Sequence, residues 1–230
     1  MKCLLSVSLA VAAGLAAYAM QNYKTPKLRV GIAVNLPTTK SAVAMPAADD
    51  EDAWVVTVTP NGSIYFGLDK VDPDNLVEKI NGTPRKREQN LYIKVDARAP
   101  FGSVKPVLAA ARECLFETPV LLTTQPGQAR PGTIVPPKGL EVMVTPPSNA
   151  DKTSVQLWEE GQLSPSLRID GKAVSWPDFE STLKNVLQSR KSKMAEVEAN
   201  DAVPFEAIVR VIDEAHADGA TVALPSFHSI

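Results

Sequence analysis

The chain has 230 residues, 44% of them hydrophobic and 22% charged, with a net charge of −2. This is a globular composition with room for one large or two small domains, and the lack of a basic excess excludes nucleic-acid binding driven by bulk charge. Two cysteines, Cys3 and Cys114, cannot build a disulfide framework, and Cys114 reads as a small semi-buried apolar residue.

Met1 to Met20 (MKCLLSVSLAVAAGLAAYAM) is an apolar run preceded by one lysine. Its length suits a membrane-spanning helix, while Ala17-Tyr18-Ala19 fits the small-x-small pattern cut by signal peptidase. Both readings put the chain in or beyond a membrane. Lys24, Lys27 and Arg29 lie just beyond the apolar run, and Gln21 to Lys27 reads as a polar, basic connector. Leu28 to Leu36 is rich in strand formers and ends at Pro37, which cannot continue a ladder. Thr38 to Asp52 reads as a mobile loop. Its acidic run, Asp49 to Asp52, lacks EF-hand spacing and the EF-hand glycine, so it is expected to be solvated rather than calcium-bound.

Trp54 to Val58 and Ile64 to Phe66 are predicted to pair across the turn Pro60-Asn61-Gly62. Asp72 and Pro73 have the chemistry of an N-cap and first helical residue, for a helix whose apolar face is Leu76, Val77 and Ile80. Asn81-Gly82 ends that helix. Leu91 to Val95 is the next strand. After it come Pro100-Phe101 and a helix whose Val104, Val107, Leu108, Ala111 and Leu115 are expected to share one face. Pro126 to Pro137 is a Pro/Gly-rich linker; it lacks the lysine a phosphate loop needs.

Beyond the linker the same order recurs. Gly139 to Pro146 echoes Gly31 to Pro37, and Val155 to Trp158 with Leu167 to Ile169 forms a second hairpin. Val174 to Phe179 echoes Val71 to Leu76, with Ser175 or Asp178 near the cap. A strand at Glu196-Val197 leads into Ala199 to Leu224. There Pro204-Phe205 stands 104 positions after Pro100-Phe101, and Phe205, Ile208, Ile212 and Ala215 make one helix face ending at Gly219. Five features in one order at a nearly constant offset indicate an internal duplication.

Chemistry-bearing residues are sparse. His216 and His228 read as surface residues, with no nucleophile elbow and no zinc spacing around them. Two basic clusters, Arg85-Lys86-Arg87 and Arg190, Lys191 and Lys193, fall at matching places in the two halves. They could bind an anionic partner such as a cell-wall polymer, or serve helix ends and solubility. No enzyme, metal or cofactor is implied.

Val34-Asn35-Leu36-Pro37 after an apolar segment, then hairpin, helix, strand, Asp96-Ala97, helix and strand, resembles the ExbD/TolR biopolymer-transport family. The second half resembles it from Glu198-Ala199-Asn200-Asp201 through Pro204-Phe205-Glu206 to His216-Ala217-Asp218-Gly219. The resemblance implies an α+β fold: two tandem two-layer α/β sandwiches after an N-terminal hydrophobic helix or signal peptide. The expected divisions are 1–20, 21–125, the linker 126–137, and 138–230. It further implies a single-pass inner-membrane protein with its bulk in the periplasm, partnered by an ExbB/TolQ-type channel and acting by binding. Two family domains in one chain are expected to pair with each other as an intramolecular pseudo-dimer. The alternative is a secreted, soluble periplasmic protein that binds cell wall or another envelope partner. Met1 to Met20 contains no Asp or Glu, so no proton-carrying residue of the family transfers to this chain.

Overall fold

The computed structural model describes residues 31–84, 89–125, 136–147, 151–159, 161 and 164–225. The apolar run 1–20 and the cluster Arg85 to Arg87 lie outside them. The first half begins with a two-residue strand β1 (Val43–Ala44), followed by β2 (Trp54–Val58), β3 (Ile64–Phe66), β4 (Asp69–Val71), helix α1 (Leu76–Asn81), β5 (Leu91–Val95), helix α2 (Lys105–Glu113) and β6 (Val120–Thr123). The second half holds β7 (Lys138–Glu141), β8 (Lys152–Trp158), β9 (Ser166–Ile169), β10 (Lys172–Val174), α3 (Phe179–Ser189), β11 (Met194–Ala199), α4 (Phe205–Ala217) and β12 (Thr221–Ala223). The fold is α+β, with two mixed sheets.

The order β6-β5-β2-β3-β4 in the first sheet is matched by β12-β11-β8-β9-β10 in the second. In each, the three strands on the β2 or β8 side pair antiparallel, and the remaining two join in parallel. Parallel neighbours need a crossover, and here each crossover is a helix. Those helices present Leu76, Ile80, Val107, Leu108 and Ala111 in one half and Leu183, Leu187, Ile208, Ile212 and Ala215 in the other, all buried in one continuous apolar cluster.

Local chemistry explains the element ends. Asn61 accepts from the Thr59 hydroxyl and the Ser63 N–H, and Gly62 sits at φ 81°, which closes the first hairpin as expected. Asp72 accepts from the Asp74 N–H at 3.2 Å ahead of the helix it caps. Ser175 and Asp178 hydrogen-bond each other at 2.6 Å in front of α3.

Helices α2 and α4 each end in a Schellman motif. Phe116 N–H reaches Ala111 C=O and Leu115 N–H reaches Arg112 C=O; Ala220 and Gly219 repeat these bonds to Ala215 and His216. The left-handed position is Gly219 in one and Leu115, at φ 61° and 80% exposed, in the other. The expectation that Leu115 shares the buried face of α2 is therefore corrected: the helix stops before reaching it. Leu115→Gly should raise stability by roughly 0.5–1 kcal/mol, since left-handed strain of ~1–2 kcal/mol is relieved against a smaller loss of chain stiffness. Thermal melting checks this, and a lower melting point would mean that the leucine makes contacts worth more than its strain.

Three further expectations change. Gly31 to Pro37 forms no strand, and Asn35 is instead tied to the end of β5. Thr38 to Asp52 is an ordered arm, not a loop: Thr39, Ala42 and Ala48 are buried, and Leu36, Met45, Ala48 and Ala53 pack against Val55, Tyr92, Val120 and Leu122 on the outer face of the first sheet. After the linker, β7 does not open the second sheet but adds to the first, antiparallel to β6 and to β1. Just beyond it, Met143 bridges to β12 of the second sheet through bonds with Val222 and Leu224.

Candidate functional site

The two halves meet where their crossover helices begin. Pro100 and Pro204 face each other as an antiparallel bridge. Proline at the start of a helical turn leaves its neighbours' N–H groups free to find partners outside the helix. Those partners come from the other half. Phe101 N–H donates to Val203 C=O at 2.9 Å, and Phe205 N–H donates to Ala99 C=O at 2.9 Å. Gly102 N–H donates to Asp201 C=O at 3.0 Å, and Glu206 N–H to Ala97 C=O at 2.9 Å. Exchanging the halves by the offset of 104 turns each bond of a pair into the other, which is the signature of a local two-fold axis through the Pro100–Pro204 bridge.

Side chains seal the junction. Phe101 and Phe205 are buried, and the Lys105 ammonium pairs with Asp201 across the seam at 2.6 Å while lying 5.5 Å from the Phe101 ring centre. A cavity of about 230 Å³ opens beside it, lined among others by Phe101, Lys105, Trp158, Glu198 and Asn200.

Each half also uses the residue after its central parallel strand as a clamp. Asp96, 1% exposed, accepts from Asn35 N–H at 3.0 Å, from Arg98 N–H at 3.1 Å, and from the Arg98 guanidinium in a two-point fork at 2.9 and 3.1 Å. At the matching position Asn200 accepts from Glu159 N–H and donates to Glu159 C=O, both at 3.1 Å. The Arg98 hydrogen bonds, helped by the two backbone N–H groups, outweigh burial and hold the Asp96 carboxyl down at about 2. The folded form thus binds this proton less readily than the unfolded form. Its contribution to stability is complete above about pH 4 and is lost as pH falls through about 2. Asp96→Asn should flatten that acid limb in urea titrations run between those values. Asp96→Ala, which also orphans Asn35 N–H, should cost about 2 kcal/mol at neutral pH. An unchanged limb in the Asn variant would mean that another carboxylate sets it.

The basic clusters fare differently. Arg190 is taken up by the fold, with its guanidinium on both Asp151 and Asp170, while Lys191 and Lys193 are exposed. His216 bonds through Nε2 to Glu141 C=O at 2.9 Å, and His228 lies outside the described residues. Sequence reasoning missed Asp213, a 6% exposed carboxylate on α4 that accepts hydrogen bonds from the first half's arm. The only signal was an acid set among Val209, Val211, Ile212 and Ala215. Among the described residues no helix is long and apolar enough to cross a membrane.

No curated protein and no solved structure gives a match to the chain. A family model described as "Biopolymer transport protein ExbD/TolR" matches residues 19–127, the stretch that holds the connector, the arm and the whole first five-strand unit. Over residues 19–127 the chain is similar to the ExbD/TolR family.

Proposed function

We propose that residues 138–230 are a second ExbD-like unit and that the chain is a non-catalytic subunit of a proton-gradient-driven transport complex of the envelope. The ExbD/TolR family works in such complexes, generally beside ExbB/TolQ-type partners. The observation that carries the reading is the strand order: both halves run through the same five strands and two crossover helices in the same directions. In this reading the apolar run 1–20 tethers the chain to the inner membrane with its bulk in the periplasm, and the two units pair with each other across the Pro100–Pro204 bridge. Arg85, Lys86, Arg87, Lys191 and Lys193 supply basic contacts to an anionic partner, while Arg190 stays in the fold.

The test is co-purification from detergent-solubilised membranes, with intact-mass measurement of the recovered chain. The expected result is a full-length chain that carries an ExbB/TolQ-type channel protein with it. Ala17-Tyr18-Ala19 favours one second reading, a soluble periplasmic protein cleaved after Ala19. A chain that begins at Met20, free of membrane and channel, would replace the first reading with that one.

A further inference from the structure

The arm that leads from the N-terminal segment into the first unit is fastened by the second unit. Asp213 lies on α4, and at the matching position of α2 stands Ala109, so this carboxylate has no counterpart in the first half. Its Oδ2 accepts from Lys40 N–H and its Oδ1 from Ser41 N–H, each at 2.8 Å, and the Ser41 hydroxyl also donates to Oδ1. A buried charge is costly unless it is fully hydrogen-bonded, and here the bonds come from backbone of the other half. The carbonyl side of the same stretch is held by Gln125, whose amide donates to Lys40 C=O at 3.2 Å and Ala42 C=O at 2.8 Å. Lys138 donates to the Gln125 oxygen and fixes that amide's orientation.

What these bonds hold down is a cover. Beyond Ser41 the arm has only the two-residue β1 and one 3-10 turn at Pro46–Asp49, yet it shields Val55, Tyr92, Val120 and Leu122. The corresponding outer face of the second sheet is polar, with Lys152 paired to Glu196 and Gln156 to Glu198, and it has no need of a cover. The geometry points to Asp213 as a latch: through it the second unit keeps the arm closed over the apolar face of the first, and releasing it uncovers that face and frees the arm. This stands apart from the transport reading, since it concerns only how the two halves of this chain are fastened.

Hydrogen–deuterium exchange on the full chain in detergent tests it. In Asp213→Ala, amides of residues 40–53 should exchange at least tenfold faster, while those of β8 and β11 keep their native rates. Binding of an apolar fluorescent dye should rise with them. Ser41→Ala leaves α4 untouched and should speed exchange at positions 40 and 41 severalfold, with a smaller drop in melting temperature than Asp213→Ala. Native protection of the arm in both variants would overturn the latch. So would equal loss of protection in β8 and β11, which would make Asp213 a general support of the second unit.

Discussion

Replacing Phe205 with Ala is expected to remove about 3–5 kcal/mol from the unfolding free energy, and Phe101→Ala a similar amount, because both rings are buried and the cavity left by a deleted aromatic collapses poorly. The two positions are equivalent by the 104-residue offset, but they are not equally embedded. Phe205 opens a helix buried on most of its circumference, with Ala207, Ile208, Val209, Val211, Ile212, Asp213 and Ala215 all inside. Phe101 opens a 3-10 turn ahead of the shorter α2, and the Lys105 ammonium lies over its ring. The larger loss should therefore fall on Phe205. Urea unfolding of each variant measures it. Since one apolar cluster runs through both halves, each variant should still unfold in a single transition. Two separate transitions, or a loss under ~1 kcal/mol at Phe205, would show that the halves keep independent cores.

Much of this architecture was legible where short-range chemistry decides it. Trp54 to Val58, Leu91 to Val95 and the Pro60-Asn61-Gly62 turn carry their own signals, and Gly219 ends its helix as glycine does. Strands β4 and β10 were missed. Asp69-Lys70-Val71 and Lys172-Ala173-Val174 have little strand character, and they pair only because a tight turn delivers them. Asp170-Gly171, with φ 48° and 78°, is such a turn, and that dipeptide was a readable hairpin signal. The arm and β7 were missed for a different reason. The arm is fastened by Asp213, which lies 173 residues from Lys40, while β7 pairs with β6 across the linker and the residue just beyond it bridges to β12; no local pattern reports either. Helix α4 shows the same limit. Its sequence displays one apolar face, but it also meets the first half's arm and β7, and nothing in the local pattern marks Asp213 as buried.

The fragment from Gln21 to Ile230 is expected to stay monomeric on dilution in light scattering. Sheet edges and free N–H groups at a pairing surface invite association between chains. Here those groups are already used: Phe101, Gly102, Phe205 and Glu206 each donate to the opposite half of the same chain. The connection through residues 126–137 holds the halves at an effective concentration on the order of millimolar, which a separate chain does not reach at micromolar protein. β7 strengthens the bias, because the first residues after that connection are built into the first unit's sheet before the chain reaches the second. Gly102 is the point at which this pairing can be broken with least damage elsewhere. A Cβ there would lie 2.8 Å from the Asp201 Cβ and 3.3 Å from its Cα, so the obstacle includes backbone that cannot swing aside. Gly102→Val should cost about 1–3 kcal/mol by overpacking, with the loss concentrated at the seam and both sheets retaining their exchange protection. With the seam forced apart, the exposed N–H groups of Phe205 and Glu206 become available to a second chain, and the variant should show concentration-dependent dimerisation that the parent fragment lacks. A parent fragment that is already dimeric after dilution, or a Gly102→Val variant as stable and as monomeric as the parent, would mean that the two halves are held together by something other than this junction.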